Sequence, residues 1–151
     1  MTILENSIRI TAPPARVWSV LAQLDALHDY DPGVLKSALL AGPRSGLGAS
    51  RQCDLRPGGW FRERVTEWER EVALTFKLIA CTLPVKALSY RYRLVKEGDE
   101  TIVHERMEYA LKFGPLGKAL DRLVMRRKWS AGINASLGAL KRRVEQERSR
   151  P

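Results

Sequence analysis

The stretch SIRITAPPARVWSVL, residues 7–21, changes its hydrophobic period from two residues to between three and four. Ile8 and Ile10 alternate with polar residues, as in a half-buried β-strand. Ala12-Pro13-Pro14 ends this strand, and proline is tolerated in the first turn of a helix. Apolar residues then recur at the spacing of an amphipathic helix: Val17, Trp18, Val20, Leu21 and Leu24. The sequence therefore predicts a strand that leads directly into a short helix.

The middle of the chain predicts an antiparallel sheet. Residues 25–31 first predict a second short helix, capped by Asp25 and ended by Pro32-Gly33. Short segments rich in Gly, Pro and charged residues then separate six apolar segments, so consecutive strands should form hairpins. The predicted strands are Val34–Ala41, Ala49–Leu55, Trp60–Glu69, Val72–Ile79, Lys86–Lys96 and Thr101–Lys112.

Beyond Gly114-Pro115 the period becomes helical again and predicts a helix of roughly 30 residues. Its expected apolar stripe consists of Leu116, Leu120, Leu123, Val124, Ile133, Leu137, Leu140 and Val144. Small and polar residues interrupt the stripe between Arg127 and Asn134, so we expect the helix to pull away from the sheet near its middle. The predicted class is α+β in the order β-α-α-β6-α, with one ligand-binding domain over residues 1–147 and a frayed tail at 148–151.

Composition excludes several classes of protein. A chain of 151 residues fits one domain, and two cysteines cannot form a disulfide framework or a four-cysteine zinc site. Cys53 and Cys81 are expected to be buried small residues, and His28 and His104 stand alone, so no metal site is predicted. No nucleotide-binding glycine motif is present, and no cofactor is expected. The chain lacks a long apolar run and the layout of a signal peptide, which predicts a cytoplasmic protein without a transmembrane segment.

Most of the net charge of +9 comes from the C-terminal part of the chain. Residues 112–151 hold eleven Lys or Arg and three Asp or Glu. Such a block predicts either contact with an anionic surface or only the solvated face of a long helix. Aromatic residues are not interleaved with the basic ones as base-stacking platforms would require, which argues against a nucleic-acid partner.

Several motifs point to a known family. Residues 10–18 combine a hydrophobic strand, Ala-Pro and Val-Trp; Gly46-Leu47-Gly48, Glu63-Arg64-Val65 with Trp68, and Gly98–Val103 are further matches. With the order of elements, they resemble the helix-grip fold of the SRPBCC superfamily, which includes START domains, birch-pollen-allergen-like proteins and polyketide cyclase/dehydrase-like proteins. The resemblance covers nearly the whole chain and implies a curved antiparallel sheet wrapped on the long C-terminal helix, with an elongated apolar cavity between them.

The interrupted stripe independently predicts unfilled space between residues 123–137 and the sheet, of a kind that holds a hydrophobic ligand. The hydroxyls of the candidate tyrosines could bind a ligand carbonyl, although the same rings are equally expected as ordinary residues of a hydrophobic core. The candidate ligand-binding residues are Tyr30, Phe61, Glu63, Phe76, Tyr90, Tyr92, Glu105, Met107, Leu123, Arg127 and Asn134.

Two carboxylates are the candidate catalytic residues. If Phe61 and Val65 face inward, strand alternation turns Glu63 inward as well. The same argument applies to Glu105, whose neighbours Val103, Met107 and Tyr109 are apolar or aromatic at every second position. A buried carboxylate must be paired or protonated, and the helix offers Arg127 or Arg126 as the partner, with Arg127 preferred. A β-bulge between Trp60 and Glu69 would instead expose Glu63.

Three functions remain open at this point. The leading hypothesis is a binding protein, monomeric or homodimeric, for a lipid, an isoprenoid or a polyketide-like compound. The enzymatic alternative is a polyketide cyclase or aromatase that uses no metal or nucleotide cofactor. The third is an interaction module in which the basic C-terminal helix contacts a membrane or RNA.

Overall fold

The computed structural model describes residues 1–148 and contains one antiparallel sheet of seven strands. The strands are β1 Thr2–Ile10, β2 Val34–Leu39, β3 Ser50–Leu55, β4 Trp60–Glu69, β5 Ala73–Cys81, β6 Val85–Glu97 and β7 Glu100–Leu111. Their order is β1-β7-β6-β5-β4-β3-β2, so β2 to β7 form consecutive hairpins and β1 pairs with β7. The predicted antiparallel sheet is confirmed.

Two helical regions cover one face of the sheet, which we call the inner face. The helices are α1 Pro14–Leu21, α2 Gly114–Leu120 and α3 Arg126–Arg148. A π-helical turn, Asp121–Met125, joins α2 to α3, so residues 114–148 form one C-terminal helix. This confirms the predicted helix-grip arrangement. Of the predicted tail at 148–151, only Arg148 lies within the described residues, and it ends α3.

The second short helix predicted at residues 25–31 forms only as a 3-10 helix at Leu27–Asp29, and Asp25 does not cap it. The His28 side chain instead ties the segment to β2, because the Ser37 backbone N–H donates to His28 Nδ1 at 3.1 Å. The His28 backbone N–H in turn donates to Ser37 Oγ at 3.3 Å, and these bonds to β2 replace a longer helix.

The core lies between the inner face, α1 and the second half of the C-terminal helix. Trp18 of α1 is buried, and its ring meets Trp68 of β4 edge-on with centroids 5.1 Å apart. This contact anchors α1 to the sheet, as the sequence predicts. From α3 the core receives the second half of the predicted stripe: Ile133, Leu137, Leu140 and Val144.

The first half of that stripe does not pack on the sheet, so the prediction that both halves lie on one apolar side of the helix is wrong. Its members remain exposed: Leu116, Leu120, Leu123 and Val124. Asp121 holds this part of the helix to the strands, because its carboxylate accepts hydrogen bonds from Tyr109 Oη, from Thr2 Oγ1 at 2.6 Å and from Arg126 Nε at 2.9 Å. The inward group at this turn is therefore a buried carboxylate rather than a leucine.

The pairing of β4 with β5 contains two irregularities that decide which side chains face inward. The first leaves Ile79 of β5 unpaired between the partners of Arg62 and Glu63, so β4 itself continues to alternate there. The second leaves Thr66 of β4 unpaired between Val65 and Glu67. Because both shifts lie outside residues 63–65, Glu63 stays on the inner face with Val65.

Candidate functional site

A buried salt bridge lies on the inner face of β3 and β4. Arg51 and Glu63 are register partners on these strands, and their side chains are only 4% and 1% exposed. Arg51 Nε donates to Glu63 Oε1 at 2.7 Å. The Tyr90 hydroxyl donates to the same carboxylate, at 2.6 Å from both oxygens. The carboxylate is thus held by a guanidinium and a phenol.

The remaining groups around Arg51 complete its hydrogen bonding. Arg51 Nη1 donates to the Leu24 carbonyl at 3.0 Å, and its guanidinium lies 4.3 Å from the centre of the Phe76 ring. Burial opposes the charge on Arg51, but the adjacent Glu63 and Tyr90 outweigh it and hold the pKa of Arg51 above its usual value. This buried ion pair has all its partners in place, so the cluster is a rigid, polar part of the inner face.

Glu105 lies in a different environment on the same face. It is 4% exposed and sits in β7 between Asn6 of β1 and Tyr92 of β6, its register partners. Among the described residues, Glu105 Oε2 and Asn6 Nδ2 have no hydrogen-bond partner. Such unpaired buried atoms are uncommon in folded proteins and need an explanation.

The protonation state of Glu105 follows from this burial. Desolvation, with smaller contributions from Asp31 and Glu63, raises the pKa of Glu105 to about 8, although a hydrogen bond from Tyr92 opposes the shift. At neutral pH most molecules therefore carry Glu105 as a neutral acid, which can donate a hydrogen bond as well as accept one.

Two tyrosines near Glu105 are neutral hydrogen-bonding groups. Burial and then the charge of Glu105 raise the pKa of Tyr92 well above its usual value. Burial raises the pKa of Tyr30, which packs against the core, although Arg51 lowers it in part. The rings of Phe76, Tyr90 and Tyr92 follow one another, with centroids 5.2 and 5.7 Å apart. Together they form an aromatic surface with hydroxyl groups.

The structure brings most of the candidate residues to the inner face but not all of them. Five are buried there, namely Glu63, Phe76, Tyr90, Tyr92 and Glu105. Tyr30, Phe61 and Met107 are partly buried, whereas Leu123, Arg127 and Asn134 are exposed on the C-terminal helix. The inward orientation of both glutamates, inferred from strand alternation, is confirmed. A role of these residues in ligand binding stays a prediction, and so does the apolar cavity expected at residues 123–137.

The expected partner of the carboxylates is wrong. Arg127 is exposed, and Glu63 pairs instead with Arg51, a residue that sequence reasoning missed. The signal was present at the start of β3, because Ala49, Arg51 and Cys53 take every second position and all three are buried. An arginine between two small buried residues indicates a buried cation, and a facing glutamate is its natural partner.

The cysteines and the possible metal ligands add no reactive group to this site. Cys53 is buried, and desolvation raises the pKa of its thiol to about 12, so it is not a nucleophile at neutral pH. Cys81 is partly buried, and both cysteines are free. Within residues 1–148, no group of three or more His, Cys, Asp or Glu side chains is placed to hold a metal ion. In the same part of the chain, no helix has the length and hydropathy needed to cross a bilayer.

Comparison with known proteins defines the class. Residues 1–145 match the family described as polyketide cyclase / dehydrase and lipid transport. The chain therefore belongs to this family, and the resemblance to the SRPBCC superfamily is confirmed. A search of curated proteins found no match.

Solved structures share the fold at low sequence identity. A START superfamily protein from Mycobacterium smegmatis is 17% identical with a TM-score of 0.77, covering 95% of this chain and 97% of that one. Norcoclaurine synthase from Thalictrum flavum, in complex with dopamine and hydroxybenzaldehyde, is 18% identical with a TM-score of 0.76, covering 99% and 89%. The Zhui aromatase/cyclase from Streptomyces is 18% identical with a TM-score of 0.74, covering 95% of each chain. At these identities the likeness shows the fold alone.

Proposed function

We propose that the protein binds a hydrophobic small molecule, such as a lipid, an isoprenoid or a polyketide-like compound, through a hydrogen-bond-accepting group next to Glu105. The observation that carries this proposal is the buried, unpaired Oε2 of Glu105. A neutral carboxyl in an apolar site donates a hydrogen bond to a carbonyl or ether oxygen, and the bound ligand would replace the missing partner. The family, described by polyketide cyclases, dehydrases and lipid transport, supports a ligand of this class.

The surroundings of Glu105 indicate the shape of the ligand. Asn6 Nδ2 is a second unpaired donor on the neighbouring strand, so an acceptor bound between the two residues would receive two hydrogen bonds. The rings of Phe76, Tyr90 and Tyr92 supply apolar surface beside them. An apolar or aromatic body with one carbonyl group matches this set of neighbours.

A cyclase-type enzyme is the second candidate, and the raised pKa of Glu105 favours it. A carboxyl whose pKa is about 8 exchanges protons near neutral pH, which is the property of a general acid or base. In such a reaction the ionised fraction of Glu105 would take a proton from the carbon next to a ligand carbonyl, leaving an enolate, and would return the proton later. Glu63 does not fit this role, because Arg51 and Tyr90 occupy its oxygens.

Binding is tested with the neutral fluorescent probe N-phenyl-1-naphthylamine, displaced by 2-acetylnaphthalene or by 2-isopropylnaphthalene of similar shape. At about pH 6.5, where Glu105 is protonated, the ratio of ketone to hydrocarbon affinity should be up to about tenfold higher in the wild type than in Glu105→Leu. Glu105→Gln, which keeps a donor, should retain part of this ratio. The outward neighbour gives the matched control, because His104→Gln should leave the ratio unchanged.

The pH dependence supplies a second readout of the same contact. The ketone preference should decline above about pH 8, where Glu105 loses its proton, and should not decline in Glu105→Gln. Absence of probe binding, or an identical ratio in the wild type and in Glu105→Leu, would rule out the proposed binding mode.

The enzyme candidate is separated from the binding protein by hydrogen exchange. An acid/base group beside the ketone would accelerate exchange of the methyl protons of 2-acetylnaphthalene in D₂O, followed by NMR, and Glu105→Gln would abolish the acceleration. Binding without accelerated exchange would leave a binding protein and remove the cyclase alternative.

A further inference from the structure

The beginning of the C-terminal helix exposes a group of large apolar side chains. Phe113 is 68% exposed, Leu116 is 78% exposed and Leu123 is 75% exposed. Leu120 and Val124 are exposed as well. The spacing of Leu116, Leu120 and Leu123 places these three side chains on one side of a helix. Scattered apolar residues are ordinary on a protein surface, but a group this dense on one short segment marks an interaction site.

The same segment carries a concentrated positive charge. Residues 112–128 hold six Lys or Arg and a single acidic residue, Asp121. Asp121 is buried and accepts hydrogen bonds from Thr2, Tyr109 and Arg126, so it presents no free negative charge at the surface. The basic residues are all exposed: Lys112, Lys118, Arg122, Arg126, Arg127 and Lys128.

A concave surface lies between the same segment and the strands, with Phe113 and the buried Asp121 among its lining residues. A cleft of about 580 Å³ is bordered by Phe113 and by five cationic side chains: Lys86, Lys112, Lys118, Arg122 and Arg126. A cationic cleft beside the exposed Phe113 ring supplies hydrogen-bond donors for the phosphate of a lipid headgroup.

We propose that residues 112–128, here called the docking segment, bind the surface of an anionic lipid bilayer. The apolar side chains enter the boundary between headgroups and acyl chains, and the Lys and Arg side chains contact lipid phosphates. Amphipathic helices that combine basic and large apolar side chains bind membrane surfaces in this way. The segment lies on the surface and does not span the bilayer.

The charge and the leucines together select this partner over two others. A second copy of the chain would bring one positively charged segment against another, and such like-charge contacts are repulsive. Single-stranded RNA would satisfy the charge, but it stacks on aromatic rings and leaves exposed leucines unused. Of these three partners, a bilayer with anionic headgroups is the one that matches both features.

The test is cosedimentation of the full chain with vesicles, in about 0.1 M salt. Phosphatidylcholine vesicles with about 30% phosphatidylglycerol should bind at least about tenfold more tightly than pure phosphatidylcholine. The variants L116S/L123S and K118E/R122E should each weaken binding at least about tenfold, the first by removing apolar contact and the second by reversing charge. All four side chains are exposed, so circular dichroism should show an unchanged fold.

Two control variants make the same chemical changes elsewhere on the surface. L35S/L47S removes two other exposed leucines, and R70E/R142E reverses two other exposed charges. Both should bind the anionic vesicles within about threefold of the wild type, since membrane charge attraction weakens over about one Debye length. Loss of binding in the controls equal to that in the test variants would overturn the assignment to residues 112–128.

Insertion is tested with Phe113→Trp, whose added fluorescence should shift to the blue and be quenched by brominated lipids only in anionic vesicles. The proposal fails if the wild type does not bind these vesicles, or if L116S/L123S binds them as tightly as the wild type does. It also fails if the leucine variant disperses a dimer, or if RNA binds more tightly and independently of the leucines. Binding of N-phenyl-1-naphthylamine at the inner face should be unchanged in L116S/L123S, so this result stands apart from the ligand site.

Discussion

Strand β4 supplies one glutamate to each of two arginine–glutamate pairs, which lie on opposite faces of the sheet and have the same Nε–Oε1 distance. Arg51 Nε lies 2.7 Å from Glu63 Oε1, and Arg91 Nε lies 2.7 Å from Glu67 Oε1. The first pair is buried, with side chains 4% and 1% exposed, whereas the second is 43% and 36% exposed. Because the distances agree, burial is the main difference between the pairs.

This difference determines what each pair contributes. Water and salt compete with the outer pair, so it stabilises the fold only slightly. On the inner face, each charge needs a complete set of partners, and Tyr90 and the Leu24 carbonyl complete the set around Arg51 and Glu63. Glu105 meets the same low-dielectric environment without a cation, and it stays neutral instead. The inner face therefore holds one carboxylate by pairing and another by protonation.

The largest effect should come from breaking the buried pair. Arg51→Met leaves Glu63 buried without its cation, and we expect a loss of about 3–5 kcal/mol in the free energy of unfolding, measured by urea denaturation. The double variant Arg51→Met/Glu63→Leu should recover more than half of that loss, because no charge then remains buried. A loss below about 1 kcal/mol in the single variant would contradict the picture of a desolvated pair.

A smaller effect should distinguish Glu105 from Glu63 through pH. The pKa of Glu105 is about 8 in the folded protein, above the ordinary 4.5. Between these values the unfolded chain releases the proton while the folded chain keeps it, so stability decreases as pH rises, by at most about 1.4 kcal/mol per pH unit. Urea denaturation between about pH 6 and 8 should show this slope in the wild type. Glu105→Gln should flatten it, and an equal slope in both proteins would show that Glu105 is not protonated in the fold.

The smallest effect belongs to the outer pair. Glu67→Gln removes the charge opposite Arg91, and the free energy of unfolding should fall by no more than about 1 kcal/mol. In about 1 M salt the difference from the wild type should shrink further, because the pair is screened. A loss as large as that of Arg51→Met would mean that burial does not separate the two pairs.

Strand alternation was sufficient to predict the inner face of the sheet. Glu63 and Glu105 each lie two positions away from apolar residues of the same strand. Because side chains alternate with a period of two, residues two apart share a face, and the buried face is then fixed. The same rule applied to Ala49, Arg51 and Cys53 would have located the missing cation. The unpaired state of Glu105 was beyond prediction, because it depends on side-chain packing among β1, β6 and β7.

The C-terminal helix shows where pattern reasoning failed. Its two apolar groups each have helical spacing, but the spacing within each group says nothing about the angle between them. At about 100° per residue, the 17 positions from Leu116 to Ile133 do not complete a whole number of turns, and the groups lie more than about 90° apart. A phase count would have separated the buried half from the exposed half. The buried Asp121 and the π-helical turn are features of tertiary packing that the period does not contain.

The unpaired Thr66 also bears on how β4 tolerates changes in length. Val65 and Trp68 both point to the core because Thr66 takes up one position between them, which leaves Glu67 outside. If Thr66 were deleted, Val65, Glu67 and Trp68 would alternate in, out and in without it, so every neighbouring side chain would keep its face. Deletion of Arg64, two positions earlier, would shift the alternation and move a charge across the sheet. A one-residue gap in β4 is therefore structurally silent at Thr66 and disruptive at Arg64.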